Sequence, residues 1–239
     1  NMEEKNIFND HMTLHPLVKI IGLGNTSYIL NELKSKYGRI ISIDKFDGNR
    51  VLSFNGEVMG IFIVDGYFNG LSEAVSVFAD KVQLLLVFST QEVTFPKGVD
   101  SLMVGNTTEL YSGIRAILDN LQLPNQISID FYDICKILRN SGKFNVLSIE
   151  QEGESPITTA VPKIDQWYKG MNGNKLLINF VHNPNNETQL MMDDFSSLSE
   201  WVESLTQKID IVWGISFADS MRRESIRIDI ITTYNELKS

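Results

Sequence analysis

Residues 17–44 constrain the fold of this chain more than any other stretch. Val18-Lys-Ile-Ile-Gly-Leu-Gly24 is a short β-branched run that ends in glycines. Ile29, Leu30 and Leu33 follow at helical spacing, and Arg39-Ile-Ile-Ser-Ile-Asp44 reads as a second strand. A strand, a helix and a strand in so short a span demand parallel pairing and a right-handed crossover. The near-continuous apolar run Val82–Phe88 fits a central strand of such a sheet, covered on both faces. Between them, Val51–Phe54 and Val58–Phe62 flank Asn55-Gly56, which predicts a hairpin. Ile61–Val64 then ends at Asp65-Gly66, and Leu71–Asp80 reads as helix. Leu102-Met-Val104 is a further short strand. The Thr107–Leu121 helix carries Leu110, Ile114, Ile117, Leu118 and Leu121 on one face until Pro124 stops it.

The second half reads differently. A helix is predicted over Phe131–Ser141 and a strand over Phe144–Glu150. An acidic loop follows over Glu150–Val161, then a turn at 169–175 and a strand over Lys175–Val181. An amphipathic helix over Phe195–Gln207 precedes two closing strands, Ile209–Phe217 and Ser225–Thr233. The expected organisation is a polar tail (1–15), a Rossmann-like parallel-sheet domain with its central helix (16–122) and a mixed α+β domain (123–239). Composition excludes several classes. The 239 residues carry 30 acidic and 21 basic side chains, a formal charge of −9, which argues against a nucleic-acid or anionic-membrane surface. The single cysteine, Cys135, cannot form an internal disulfide or a multi-thiolate metal site, so a reducing, cytoplasmic setting is expected. His11 and His15 are spaced to share a helix face but lack a third ligand, and no metal is expected. No apolar run approaches the ~18 residues of a membrane span.

Gly22-Leu-Gly24-Asn-Thr-Ser27 ends the first strand and opens the first helix. Such a loop can bring backbone amides against a phosphate, aided by the field of the helix N-terminus. With Asp44 closing the second strand, the spacing approximates a dinucleotide-binding fingerprint, although Ser27 stands where a glycine or alanine belongs. A small oxidoreductase is one reading, but no catalytic acid/base accompanies the loop. The other reading is a tight strand-to-helix turn with Asn25 or Thr26 as N-cap.

Four later segments carry a family resemblance. Leu123-Pro-Asn-Gln-Ile-Ser-Ile-Asp-Phe-Tyr-Asp133 resembles the stretch of the bacterial tubulin homologue FtsZ that leaves the central helix and enters the C-terminal domain. Lys175-Leu-Leu-Ile-Asn-Phe-Val181, followed by Leu190-Met-Met-Asp-Asp-Phe195 and a helix, is similar to that family's next strand and helix. Ile209-Asp-Ile-Val-Trp-Gly-Ile-Ser-Phe217 and Ser225-Ile-Arg-Ile-Asp-Ile-Ile231 resemble its closing strands. Their order and spacing imply an FtsZ/tubulin-like α/β fold from about residue 17 to 233.

In that family GTP binds glycine-rich loops of the N-terminal half. Two carboxylates from the loop after the central helix of the next subunit orient the hydrolytic water. The resemblance places Asp130 and Asp133 at those acidic positions, with Ser128 in place of an asparagine; a helix cap would use the same residues. The nucleotide half departs from the pattern. Where the family has Gly-Gly-Gly-Thr-Gly-Thr-Gly, this chain has Asp65-Gly-Tyr-Phe-Asn-Gly-Leu-Ser-Glu73, with two bulky rings and two carboxylates near the expected phosphates. Thr108 falls where a guanine-reading acid is expected, and Glu109 is one step round the helix. Gly22, Gly24, Asn25 and Gly70 remain as nucleotide-binding candidates. The expectation is a degenerate FtsZ-like pseudo-GTPase of the cell-division cytoskeleton, with no cofactor or with weakly bound GTP. Its expected partner is an FtsZ-type filament subunit met through the acidic loop; a divergent, self-polymerising GTPase is the alternative. Residues 234–239 carry no linker or terminal peptide of the kind that recruits membrane anchors, so no direct membrane attachment is expected.

Overall fold

The computed structural model describes residues 17–46, 53–171, 173–186, 190, 192–205 and 208–234. The polar tail, His11 and His15 lie outside them. The chain builds one ten-stranded sheet in the order β2-β1-β3-β4-β5-β7-β10-β8-β9-β6. Strands β1 (Val18–Gly24), β2 (Ile41–Lys45), β3 (Met59–Asp65), β4 (Leu84–Ser89) and β5 (Ser101–Val104) are all parallel. Helix α1 (Ser27–Tyr37) makes the first crossover and buries Ile29, Leu30, Leu33 and Tyr37. Helix α2 (Leu71–Ser76) is shorter than expected, ending before Val77. The central helix α3 (Thr107–Gln122) starts in a capping box formed by Asn106 and Glu109, so Glu109 serves the helix start. Its apolar stripe packs with α1, α4 (Phe131–Leu138) and the parallel strands in one core.

The second half continues the same sheet. β7 (Gly142–Glu152) meets β5 in parallel at two residue pairs, Ser101↔Gly142 and Leu102↔Lys143. β10 (Ser225–Thr233) lies antiparallel between β7 and β8 (Lys175–His182), and every one of its residues is buried. β9 (Asp210–Phe217) follows β8 in parallel, and β6 (Asn125–Ile127) caps the far edge. Helices α5 (Pro156–Lys169) and α6 (Ser196–Ser204) cover one face, enclosing Ile164, Tyr168, Phe180, Trp201 and Ile228.

Two expectations need correction. No hairpin forms at Asn55-Gly56: Ser53 and Phe54 are not strand, and Val51–Leu52 lie outside the described residues. β3 has parallel partners on both edges, leaving no side for an antiparallel neighbour. The Asn55-Gly56 bend instead turns the chain, with the Glu57 carboxylate accepting the Asn55 N–H at 2.7 Å. The acidic stretch is not a loop throughout. A helix starts at Pro156, where proline suits the first turn, and buries Ile157, Ala160 and Ile164. β8 lies between the two closing strands.

Candidate functional site

Strand order reverses between β1 and β3. In open α/β sheets, ligands bind in the crevice outside the carboxyl ends of the strands at such a point. Gly24 and Asn25 lie on one side of this crevice and Asp65–Gly70 on the other, so the fold brings together every nucleotide-binding candidate except Gly22, which sits deeper. Their local chemistry is largely inward. A Cβ at Gly22 would fall on Thr26 Oγ1 and Leu30 Cδ1, so this glycine lets α1 pack on β1. Gly24 has φ +78°, and its Cα faces the Asp65 carbonyl so closely that a Cβ would strike it. The Asn25 N–H donates to that carbonyl at 3.0 Å. The Gly66 N–H donates to Thr90 Oγ1, which donates to the Asp65 carboxylate, each at 3.0 Å. Two loop amides that could meet a phosphate are therefore engaged within the protein. Gly70, at φ +121°, precedes the short α2, and its carbonyl accepts the Ala74 N–H. Phe68 packs edge-on against Phe46, while Tyr67 projects, 80% exposed.

Asp44 does not face this crevice as a free acid. Its carboxylate pairs with the buried ammonium of Lys19 at 2.5 Å, across the β1–β2 pair. The dinucleotide reading thus loses its ribose-binding residue to an ion pair.

The acidic candidates stand at the opposite end. The chain leaves α3 at Pro124 and enters α4 through Asp130. The far end of α4 meets the amino ends of β4 and β5: Ser101 Oγ donates to the Leu138 carbonyl at 2.6 Å and Arg139 donates to the Gln83 carbonyl at 2.9 Å. Asp130 Oδ1 accepts the Asp133 N–H at 2.9 Å, and Asp133 Oδ2 accepts the Asp130 N–H at 3.2 Å. This reciprocal capping box starts the helix and leaves each carboxylate a second oxygen. Tyr132 between them is 65% exposed, whereas Phe131 anchors the turn in the core.

A buried polar cluster holds α3 between the two ends, and sequence reasoning missed it. Asp119 accepts from Tyr37 Oη at 2.7 Å and from Arg227, whose Nε also donates to Asp229 at 2.9 Å. Ser148 links Asp229 to Arg115. Burial, and then the Asp119 carboxylate, push the Tyr37 phenol far above its usual value, so it remains a donor. Burial opposes the Arg227 charge, but Asp229 and Asp119 outweigh it and raise the pKa. The available signal was Asp119 itself, a charged residue one step from Leu118 on an apolar helix face.

No protein-family model matches the sequence, and no curated protein matches it. Solved structures do. FtsZ of M. jannaschii, in an empty dimer, aligns with TM-score 0.64 over 93% of this chain and 89% of its own, at 13% identity. CetZ2 of Haloferax volcanii, a GTPγS-bound protofilament, gives 0.60 over 92% and 93% at 10% identity. TubZ of Bacillus thuringiensis serovar israelensis, in GDP-form protofilaments, gives 0.60 over 94% and 89% at 7% identity. The chain has the FtsZ/tubulin-like fold. Within this FtsZ/tubulin-like frame, α3 is the central helix and Asp130–Asp133 follow it. Among the described residues no helix is long and apolar enough to cross a membrane, and no cluster of three or more His, Cys, Asp or Glu side chains is disposed to hold a metal.

Proposed function

We propose that this chain is a cytoskeletal protein of the FtsZ type that docks through its Asp130–Asp133 loop onto the nucleotide face of an FtsZ-type filament subunit, without depending on GTP of its own. The observation that carries this reading is the contrast between the two ends. At one, exposed Asp130 and Tyr132 with half-buried Asp133 form an acidic, aromatic projection. At the other, the Asn25 and Gly66 amides are spent inside the protein, and the loop that resembles the family's glycine-rich stretch carries Tyr67, Phe68 and Glu73 in place of glycines and threonines. The free oxygens of Asp130 and Asp133 suit the orientation of a water near a neighbour's γ-phosphate. The similar CetZ2 and TubZ structures are protofilaments, which supports an end-to-end mode of contact. The acidic net charge supports a protein partner over nucleic acid, and the free, buried Cys135 supports a reducing, cytoplasmic setting.

The test mixes the purified protein with an active FtsZ and follows GTP turnover and pelleting. Stoichiometric addition should change both, and the double variant Asp130→Asn/Asp133→Asn, which keeps amide oxygens for the cap, should not. An unchanged turnover and pellet would overturn the reading. Thermal melting should be flat up to millimolar GTP. A melting temperature that climbs with GTP concentration would favour the self-polymerising GTPase instead, with Gly22, Gly24, Asn25 and Gly70 as its cradle.

A further inference from the structure

Strand β9 runs near the edge of the sheet, and β6 covers only part of it. On the inner side β9 pairs with β8 along its whole length, from Lys175↔Asp210 to His182↔Phe217. On the outer side β6 reaches Ile215 and Ser216, and the Pro124 carbonyl takes the Phe217 N–H at 2.8 Å. Backbone parity identifies the groups left open. The Asp210 N–H points inward, to the Asn174 carbonyl at 2.9 Å, whereas the Phe217 N–H points outward. Backbone direction alternates along a strand in a parallel pair, so Ile211 and Trp213 turn both N–H and C=O outward. Among the described residues, no strand pairs with them there.

The same two residues line a cleft of about 430 Å³ whose other walls include Phe180, Phe195, Leu198 and Val202. Trp213 is 39% exposed and rests against the Phe195 ring, with centroids 5.6 Å apart. An open backbone edge beside an apolar cleft is what an added strand needs: hydrogen bonds from the edge, and room for its alternate side chains. The rim decides the charge of the occupant. Glu203 stands in the cleft wall, and exposed Asp130 follows Ile129, which packs on Gly214 of the same strand. A second copy, carrying −9, would be repelled, whereas a basic segment would be drawn in.

We propose that the outer edge of β9 at Ile211–Trp213 is a docking site for an extended segment of a partner protein in which apolar residues alternate with lysine or arginine. The site lies apart from the crevice but borders the acidic loop, since Ile129, one residue before Asp130, packs on Gly214. It uses the Ile211 and Trp213 backbone and the cleft, none of which the filament reading uses. Two measurements test it. Hydrogen exchange on the free protein should show fast amides at Ile211 and Trp213 beside slow ones at Val212 and Gly214. Uniform protection of all four would overturn the proposal. A short acetylated peptide of alternating lysine and valine is then titrated while Trp213 fluorescence is followed, with Trp213→Phe assigning the signal. Saturable binding is expected, with slowed exchange at Ile211 and Trp213. N-methylation of alternate peptide amides should weaken it about tenfold. Ile211→Pro, which removes an outward donor while sparing the β8 ladder, should weaken it similarly with unchanged circular dichroism. No saturation at millimolar peptide, or affinity indifferent to N-methylation, would overturn the assignment.

Discussion

At the residue scale, the glycines that first suggest a phosphate loop are held in place by close packing. Gly24 combines φ +78° with a carbonyl against its Cα, two separate reasons to exclude a side chain. Gly24→Ala should therefore cost about 1–3 kcal/mol in urea unfolding. His182 gives a pH signature. It is buried at the end of β8, 5.1 Å from the Phe217 ring, with Nδ1 on the Asn183 carbonyl and no partner for Nε2 among the described residues. Burial lowers its pKa despite the opposing effect of the Asn183 carbonyl. The unfolded chain takes up its proton first, near the ordinary value of about 6.5, and the folded chain only at lower pH. Stability should consequently fall as pH drops through about 6.5 and level off below the folded pKa. His182→Gln should flatten that part of the curve when urea midpoints are compared at about pH 7.5 and 5.5.

At the element scale, α5 carries the one large misreading. The acidic stretch from Glu150 to Val161 suggests a loop, yet Ile157, Ala160, Ile164 and Tyr168 recur on one buried face. Pro156 occupies the first turn without loss, whereas Pro162 lies inside the helix on its exposed side and withholds one hydrogen bond. Pro162→Ala should stabilise the protein by about 1–3 kcal/mol, read as a raised unfolding midpoint. The elements legible in the sequence were those with a single strong pattern: the apolar runs of β3 and β4, the stripe of α3, and the β1–α1–β2 unit. What stayed hidden depends on distant partners. Nothing local tells that Asn55-Gly56 serves a bend before a central strand, that Asp44 is claimed by Lys19, or that Asp119 meets Arg227 over a hundred residues away. The acidic pair was legible as both cap and surface feature, because one residue type serves both roles.

At the scale of the whole molecule, the two halves share one sheet through a short β5–β7 pairing and one apolar core that includes α4, Leu177 and Ile231. β5 and β7 pair at two positions, so the coupling falls to the shared apolar core around α3 and α4 and to the buried charges on α3. Arg227 stands at their centre with two carboxylates for partners. Arg227→Met would take the buried guanidinium from both, leaving Asp119 with Tyr37 and Lys36 and Asp229 with Ser148, and should cost about 3–5 kcal/mol. The same variant should also lower the urea m-value, since halves that unfold separately no longer expose their surface in one step.

The position of β10 bears on how the protein is made. The last of the ten described strands in chain order lies between β7 and β8, antiparallel to both, with its nine residues buried. While a ribosome still holds Ser225–Thr233, β7 and β8 each wait with an open edge, and the core beneath α5 and α6 lacks Ile226, Ile228 and Ile230. The parallel half can close as soon as its own strands emerge, but the second half closes only once β10 has emerged as well. That interval is when the nascent chain is most open to mispairing and most in need of a chaperone.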